Sequence, residues 1–397
     1  MTSIRVAVIT LCIGLSTGYA ADLQWYKGNT HTHTFWSDGK EFPETVAARY
    51  KEMGYHFLAL SDHNVVSRGE KWKNSDSKWM NLAITAAEAR WGKDHLQWRE
   101  KDDKRQVRLM PLDEVRELVE DPGRFIMIES VELSAYGGGK PLHSNPLNIS
   151  KPMSARRRSD TVEKELALQE KQVQDHIHES DHPIFWHINH PNWKKSITGE
   201  QLAAVKGAHG VEIMNGSSHC LNEGNGTDLP PMDYVWDVAS TLRLEDGLKP
   251  LFGCATDDTH DYHHELPHMN GPGLAWIMVQ SEKLTADAIT EAMLRGDFYC
   301  STGIELKTVE FDEATQTLTV EVLPEEGINY TIHFIGSTEK ETGKVLKTVS
   351  GVSASYSMTG DELFVRARVE CDAPPVCSYD EFSDIVRKAW TQPVGWK

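Results

Sequence analysis

The chain has 397 residues, 39% of them hydrophobic and 25% charged, with a formal net charge of −18. That length suggests about two domains with room for a sizeable core, and the composition is that of an ordinary soluble globular protein. An anionic excess of this size is repelled by a phosphate backbone or an anionic bilayer, so neither nucleic acid nor a membrane is the expected partner.

At the N-terminus, Arg5 precedes an apolar run from Val6 to Leu15 and the small-residue pattern Gly18-Tyr19-Ala20. This predicts a cleavable signal peptide over residues 1–20, and the run is too short to span a bilayer. A secreted or periplasmic protein is expected, and export permits disulfides. Beyond the signal lie Cys220, Cys254, Cys300, Cys371 and Cys377. Cys371 and Cys377 flank a Pro-Pro turn and are the candidate pair. Cys254 and Cys300 sit in apolar runs, as small core residues do. An odd count leaves at least one thiol free.

From Trp25 to about Gly303, strand and helix signals alternate. Pro43 to Met53 reads as an amphipathic helix with Pro in its first turn and Gly54 at its end. Phe57 to Leu60 follows as a buried strand, and the same signal returns at 125–128, 184–186, 211–214, 251–255 and 275–279. Helices fit at about 160–178, 198–206, 232–242 and 284–295. Such alternation predicts parallel strands with crossovers, and six or more units favour closure into a barrel over residues 21–303. Residues 65–124 interrupt it with a polar insertion carrying Trp72, Trp79, Trp91 and Trp98. Because the insertion leaves directly from the His63 turn, it is expected to cap the pocket. From Ile304 the period becomes two, at Leu318–Val322, Tyr330–Phe334 and Leu363–Arg368. Residues 304–397 are therefore expected to form a small antiparallel β-sandwich.

Metal-ligand residue types recur after these apolar runs. They are His31, His33 and Asp38 in THTHTFWSDG, His63 in ALSDHN, Glu132 in VELS, His143 in LHSN, His190 in INHP, and Asp258 with His260 in DDTH. His-x-His on a strand puts both imidazoles on one face, because the strand period is two. Six imidazoles and three carboxylates suit transition metals held by nitrogen and oxygen. There is no Cys-x-x-Cys, GxSxG elbow, Walker A loop or GxGxxG to support a rival chemistry.

These runs together resemble the PHP (polymerase and histidinol phosphatase) superfamily of metal-dependent phosphoesterases, over about residues 25–303. The resemblance implies a distorted (β/α)7 barrel and a trinuclear site holding zinc, manganese or iron. It implies that His31, His33, Glu132 and Asp258 hold one ion. Glu132 would bridge to a second, completed by His143 and His190, and Asp38, His63 and His260 would hold the third. Glu129 competes with Glu132, which has the family's VELS context. Asp257 competes with Asp258, which has the Asp-x-His spacing. His187, Asp62, Glu212 and Asn215 read as residues that orient ligands or substrate. His263, His264 and His268 read as a solvated loop.

Three divalent ions against three carboxylates and a bridging hydroxide leave roughly +2, a cationic pocket suited to a phosphate. The expected function is a secreted phosphoesterase acting on a small organic mono- or diester. A metal-bridging hydroxide would attack phosphorus in line. Arg68 and Lys71, in SRGEKW, are candidates for stabilising the equatorial oxygens. His260 or His187 are candidates for protonating the leaving group. Two alternatives stay open: a metal-dependent hydrolase of a non-phosphate ester or amide, and a metal-dependent binding protein without turnover. The sequence sets neither the substrate nor the oligomeric state.

Overall fold

A computed structural model of the chain describes residues 23–263, 270–374, 376 and 386–396. The signal-peptide residues, His264, His268 and Cys377 of the candidate disulfide lie outside this set. The chain opens with β1 (Gln24–Asn29), α1 (Pro43–Glu52) and β2 (Phe57–Leu60). The insertion holds β3 (Lys71–Asn74), α2 (Lys78–Trp91), β4 (Trp98–Lys101), β5 (Lys104–Leu109) and α3 (Leu112–Val119). Next come β6 (Ile126–Glu129), β7 (Leu133–Gly137), β8 (Lys140–Leu147), β9 (Arg158–Ser159), α4 (Val162–Glu179) and β10 (Phe185–Ile188). They are followed by α5 (Gly199–Ala203), β11 (Gly210–Asn215), α6 (Met232–Glu245), β12 (Phe252–Thr256), β13 (Trp276–Ser281), α7 (Ala286–Arg295) and β14 (Phe298–Ser301). The remaining strands are β15 (Leu306–Asp312), β16 (Thr317–Val322), β17 (Tyr330–Thr338), β18 (Lys344–Ser350), β19 (Ser353–Ser357), β20 (Glu362–Cys371) and β21 (Lys388–Thr391).

The helices start where short polar side chains satisfy free backbone donors. Thr161 accepts from Lys164 N at α4, Thr198 makes a reciprocal pair with Gln201 at α5, and Thr285 accepts from Ala288 N at α7. α1 instead begins on Pro43, whose fixed φ suits the first turn.

Two large sheets carry the fold. One has the order β18-β17-β20-β21-β14-β13-β1-β2-β6, the other β12-β11-β10-β8-β7-β9. β1, β2 and β6 are parallel, as are β10, β11 and β12. The expected all-parallel order is not kept, because β13 runs antiparallel to β1 and β8 antiparallel to β10. β7 and β8 are a hairpin through Gly138-Gly139, both at positive φ, so no crossover helix separates them. Single bridges join the two sheets, Thr32–Thr259 on one side and Ser130–Leu147 on the other.

Alternation along each strand explains the continuous apolar runs. Phe57 and Ala59 join Phe185, Ile188, Val211, Cys254 and Ile277 in an inner core shared by both sheets. Leu58 and Leu60 face the other way, into a second core with Val46 and Tyr50 of α1 and the C-terminal strands. A strand covered on both faces needs no polar side. Gly28 of β1 is required by close approach, since a Cβ there would meet the Phe57 ring at 2.1 Å.

The C-terminal region departs from an independent sandwich. β15, β16 and β19 form a separate three-stranded sheet, but β17, β18, β20 and β21 continue the nine-stranded sheet across the boundary expected at 303/304. β21 is the joint, paired with β14 on one side and β20 on the other. Arg366 of β20 fastens this region to α6. It is 1% exposed and makes a bidentate pair with Asp237 at 2.7 and 2.8 Å, over the Trp236 ring.

Removing one member of such a pair strands a buried charge. Arg366→Ala should lower the unfolding free energy by about 3–5 kcal/mol in a urea melt. Arg366→Met combined with Asp237→Leu should recover most of that loss; equal losses in both variants would mean the pair is not what holds the two regions. A second expectation concerns pH. His209 Nδ1 accepts from Trp186 N at 3.0 Å, and burial, followed by Arg243 and Lys249, lowers its pKa to about 4. The unfolded value is near 6.5, so the unfolded chain binds the proton first, and stability falls as pH drops from about 6.5 toward 4. His209→Asn, which keeps an acceptor but cannot titrate, should remove about 2 kcal/mol of the stability change measured between pH 7 and 4.5.

Candidate metal centre

The site is built where strands end. β1 runs into Thr30-His31-Thr32-His33, held by Ser61 N donating to Thr32 O at 2.9 Å and His33 N donating to Thr259 O at 3.0 Å. These bonds fix His31 and His33 on one face, with ring centroids 5.1 Å apart. His63 follows β2, Glu132 follows β6, His190 follows β10, and Asp258 and His260 follow β12. His143 lies within β8. Asp38 sits in the Ser-Asp-Gly turn, which Gly39 presses against His33; a Cβ on Gly39 would meet the His33 carbonyl carbon at 2.5 Å.

All nine predicted ligand residues are brought together. Four groups could each hold an ion: His33, Asp38, His63 and His260; His31, Glu132 and His190; His31, His33 and Asp258; and His63, Glu132 and His143. The grouping differs in detail from the division implied by the resemblance, because His33 also joins the Asp38 set and His63 also joins the Glu132 set.

The donor geometry fits divalent cations. His31 Nε2 lies 3.2 Å from Glu132 Oε1 and 3.1 Å from Asp258 Oδ1, yet makes no hydrogen bond. His190 Nε2 is 3.3 Å and His143 Nδ1 3.0 Å from Glu132 Oε1. His63 and His260 bring Nε2 to 3.6 and 3.5 Å from Asp38 Oδ1. Donors each about 2.1 Å from a shared ion are separated from one another by about 3–3.5 Å. The four groups hold nitrogen and oxygen donors only.

Surrounding residues aim the ligands. His31 Nδ1 is 2.6 Å from Glu212 Oε1, which leaves Nε2 facing the centre. Glu212 also accepts from His190 N, Thr256 Oγ1 and Asn215 Nδ2. Asp62 accepts from the backbone and hydroxyls of Thr34 and Ser37, shaping the turn that carries Asp38. Asp257 faces away from the centre, taking bonds from Asn29, Tyr50 and the backbone of Gly273, Leu274 and Ala275. That separates it from Asp258. Glu129 is separated from Glu132 in the same way, by its bidentate pair with Arg68.

Burial alone would raise the Glu132 carboxyl, but His143, His63 and His31 outweigh it and hold it well below the usual carboxylate range. Burial also raises Glu212, and His31 and His190 reverse this to bring it to about 2. His33 is lowered to about 3, first by burial and then by His260 and His63. Glu132 and Glu212 are thus ionised and His33 neutral. At His31, His63 (raised to about 9) and His260, by contrast, burial is outweighed by the nearby carboxylates, which favour the protonated imidazole, and a bound cation would have to displace that proton. His190 and Asp258 both adopt positive φ, 31° and 50°. Non-glycine residues rarely do so, and such strain concentrates at functional sites.

A cavity of about 430 Å³ opens over the centre, lined by seven of the nine ligands while His31 and His33 lie buried beneath. Its other walls are Lys40, Trp193, Ser217, His219, Cys220, Asp261 and Asn270. None of these seven belongs to the predicted set. Trp193 packs edge-on against His143 and His190, at 5.5 and 5.1 Å. Its place three residues after His190 was a sequence signal for it, as was the place of Lys40 beside Asp38.

Other expected residues are not brought to the cavity. Arg68 pairs with Glu129 at 2.6 Å, and the Lys71 ammonium donates to Trp36 O. His187 is fully buried and lowered to about 4 by burial, with neither ring nitrogen hydrogen-bonded. Only His260 of the four proposed catalytic residues lines the opening. The insertion is not a cap either, since no residue of 65–124 lines the cavity. Met80, Ala83, Val107 and Leu109 instead pack on Phe35, Trp36 and Phe42, and Trp36 Nε1 donates to Met110 O at 2.9 Å. Its apolar face is spent on buttressing the Asp38 turn from behind. His263 sits 3.6 Å from Glu41 and close to Lys40 O.

No protein-family model and no curated protein matches the sequence. Among solved structures, the chain is similar to a two-domain protein of Bacteroides vulgatus containing a predicted PHP-like metal-dependent phosphoesterase. The identity is 13%, over 93% of this chain and 95% of that one, with a TM-score of 0.41. It is also similar to an amidohydrolase from Chromobacterium violaceum with bound sulfate and no metal, at 15% identity over 62% and 88% of the chains and a TM-score of 0.28. PsfC from Pseudomonas syringae aligns at 11% identity over 68% and 88%, with a TM-score of 0.33.

Glu212 touches His31 rather than an ion. Glu212→Gln should therefore weaken metal binding about 10–100-fold, read as metal retained after dialysis against a graded chelator, with the circular dichroism spectrum unchanged. Retention equal to that of the unsubstituted protein would remove Glu212 from the centre.

Proposed function

We propose that the protein is a PHP-type, metal-dependent phosphoesterase that hydrolyses a small organic phosphate mono- or diester. One observation carries the proposal: nine imidazoles and carboxylates from widely separated strand ends, the interior of β8 and the Asp38 turn converge in four overlapping donor groups beneath one cavity. Two or three divalent ions, of zinc, manganese or iron, fit those donors. The two sheets and their connecting bridges are read as a distorted barrel whose strand ends face this cavity.

Bound divalent ions would supply Lewis acidity at a phosphoryl oxygen and a water deprotonated near neutral pH. The chain's own groups supply the rest. Glu132 belongs to two of the donor groups and would help to hold an ion in each. Glu212 and Asp62 keep His31 and the Asp38 turn in register, so that no reorganisation is needed when substrate enters. Trp193 offers an apolar wall for the organic part of the ester. His260 lines the cavity wall, but its Nδ1 donates to Asp258 O at 2.8 Å and its Nε2 faces Asp38, so its part is that of a ligand and the leaving oxygen would take its proton from water.

The proposal includes export through a leader over residues 1–20, with a small phosphorylated molecule as the partner. Among the described residues no helix is long and apolar enough to cross a membrane.

Metal-loaded protein should release phosphate from p-nitrophenyl phosphate, and chelation should abolish turnover that added metal restores. His31→Ala, Asp258→Asn and His260→Ala should each lower kcat/KM by at least about a thousand-fold, while circular dichroism is retained. Full turnover in all three variants would refute the proposal. Hydrolysis of sulfate or carboxyl esters in preference to phosphate would reassign the reaction.

A further inference from the structure

Arg68 and Lys71 are engaged elsewhere, so any cation that meets an incoming anion at this cavity must come from another position. Among the described residues lining the cavity, Lys40 is the one lysine or arginine. Its backbone is pinned between ligand loops: its N–H donates to His260 O at 2.9 Å, and its carbonyl lies 3.2 Å from His263 Nε2. Its ammonium pairs with the Asp261 carboxylate and sits 4.8 Å above the Trp79 ring of α2. Lys40 is 28% exposed and Asp261 9%. Asp261 belongs to none of the four donor groups. The pair therefore stands beside the centre, at the cavity wall, with the lysine the more open partner.

An ammonium has three N–H donors on a flexible stem, and one carboxylate does not use them all. Resting on the phosphoesterase reading, the geometry points to Lys40 as a phosphate clamp held in reserve by Asp261. When the anionic end of a substrate enters, the lysine turns part of its contact from Asp261 to a phosphoryl oxygen. Asp261 keeps it folded against the wall until then, and so competes with the incoming anion. The Trp79 face limits the arc through which the ammonium swings, which gives the insertion a part in substrate binding although it does not cover the cavity.

The test uses the metal-loaded full chain as wild type, Lys40→Met, Lys40→Arg, Asp261→Asn and the Lys40→Met/Asp261→Asn double variant. Binding of inorganic phosphate is measured by calorimetry, alongside KM and kcat for p-nitrophenyl phosphate and the metal content. Lys40→Met should weaken phosphate binding on the order of ten- to a hundred-fold, the worth of one charge-assisted hydrogen bond, and raise KM more than it lowers kcat. Lys40→Arg should restore most of the affinity. Asp261→Asn should tighten phosphate binding several-fold, and that gain should vanish in the double variant.

A gain of equal size with and without Lys40 reflects long-range charge alone and overturns the clamp, as does weaker binding by Asp261→Asn. Either result leaves the phosphoesterase reading standing if wild type still turns over the ester. Conversely, if wild type hydrolyses no phosphate ester but binds phosphate in a Lys40-dependent way, the activity is lost and the clamp survives. No phosphate binding by wild type overturns the clamp too.

Discussion

Glu132 is the constraint on which the rest depends. A fully buried carboxylate is costly to desolvate, and here it is ringed by His31, His143, His190 and His63 from four different parts of the chain. Each neighbour repays part of the burial, but the imidazoles also repel one another, so bare protein satisfies neither set fully. The unbonded Nε2 of His31 records that deficit. A divalent cation at the centre removes it in one step, which couples occupancy of the site to stability of the strand ends.

The surrounding structure holds this convergence open. Glu212 reaches His31, the His190 backbone, Thr256 and Asn215 at once, linking the ends of β1, β10, β11 and β12 through one carboxylate. On the other side, the insertion and Asp62 brace the turn bearing Asp38. Positive φ at His190 and Asp258 shows where the backbone bends to aim ligands, and the cost is borne by the two apolar cores on either side of the sheets. The C-terminal strands belong to that support. Through β21 and the Arg366–Asp237 pair they extend the sheet and cover α6, so the site's scaffold does not end where the alternating pattern ends.

Much of this was legible from local sequence. Caps and periodicity place α1, α4, α6 and α7 and the strands β2, β6, β10, β11 and β12 within a few residues, because each signal needs only neighbours three or four positions away. The nine donors were legible for a related reason: few other roles put imidazole and carboxylate after so many apolar runs. Arg68 and Lys71 misled because proximity to His63 along the chain says nothing of direction, and both side chains found nearer partners in Glu129 and Trp36.

The residue pattern by itself determined which groups can bind metal and which segments are buried, since burial and donor chemistry are properties of the residues themselves. Tertiary structure decided that Lys40 and Asp261 meet across the cavity wall, that the insertion is a buttress, and that β21 carries the sheet past residue 303. Those are relations between residues tens to hundreds of positions apart, set by strand pairing and packing. A one-residue change in register would reverse them without altering any local signal.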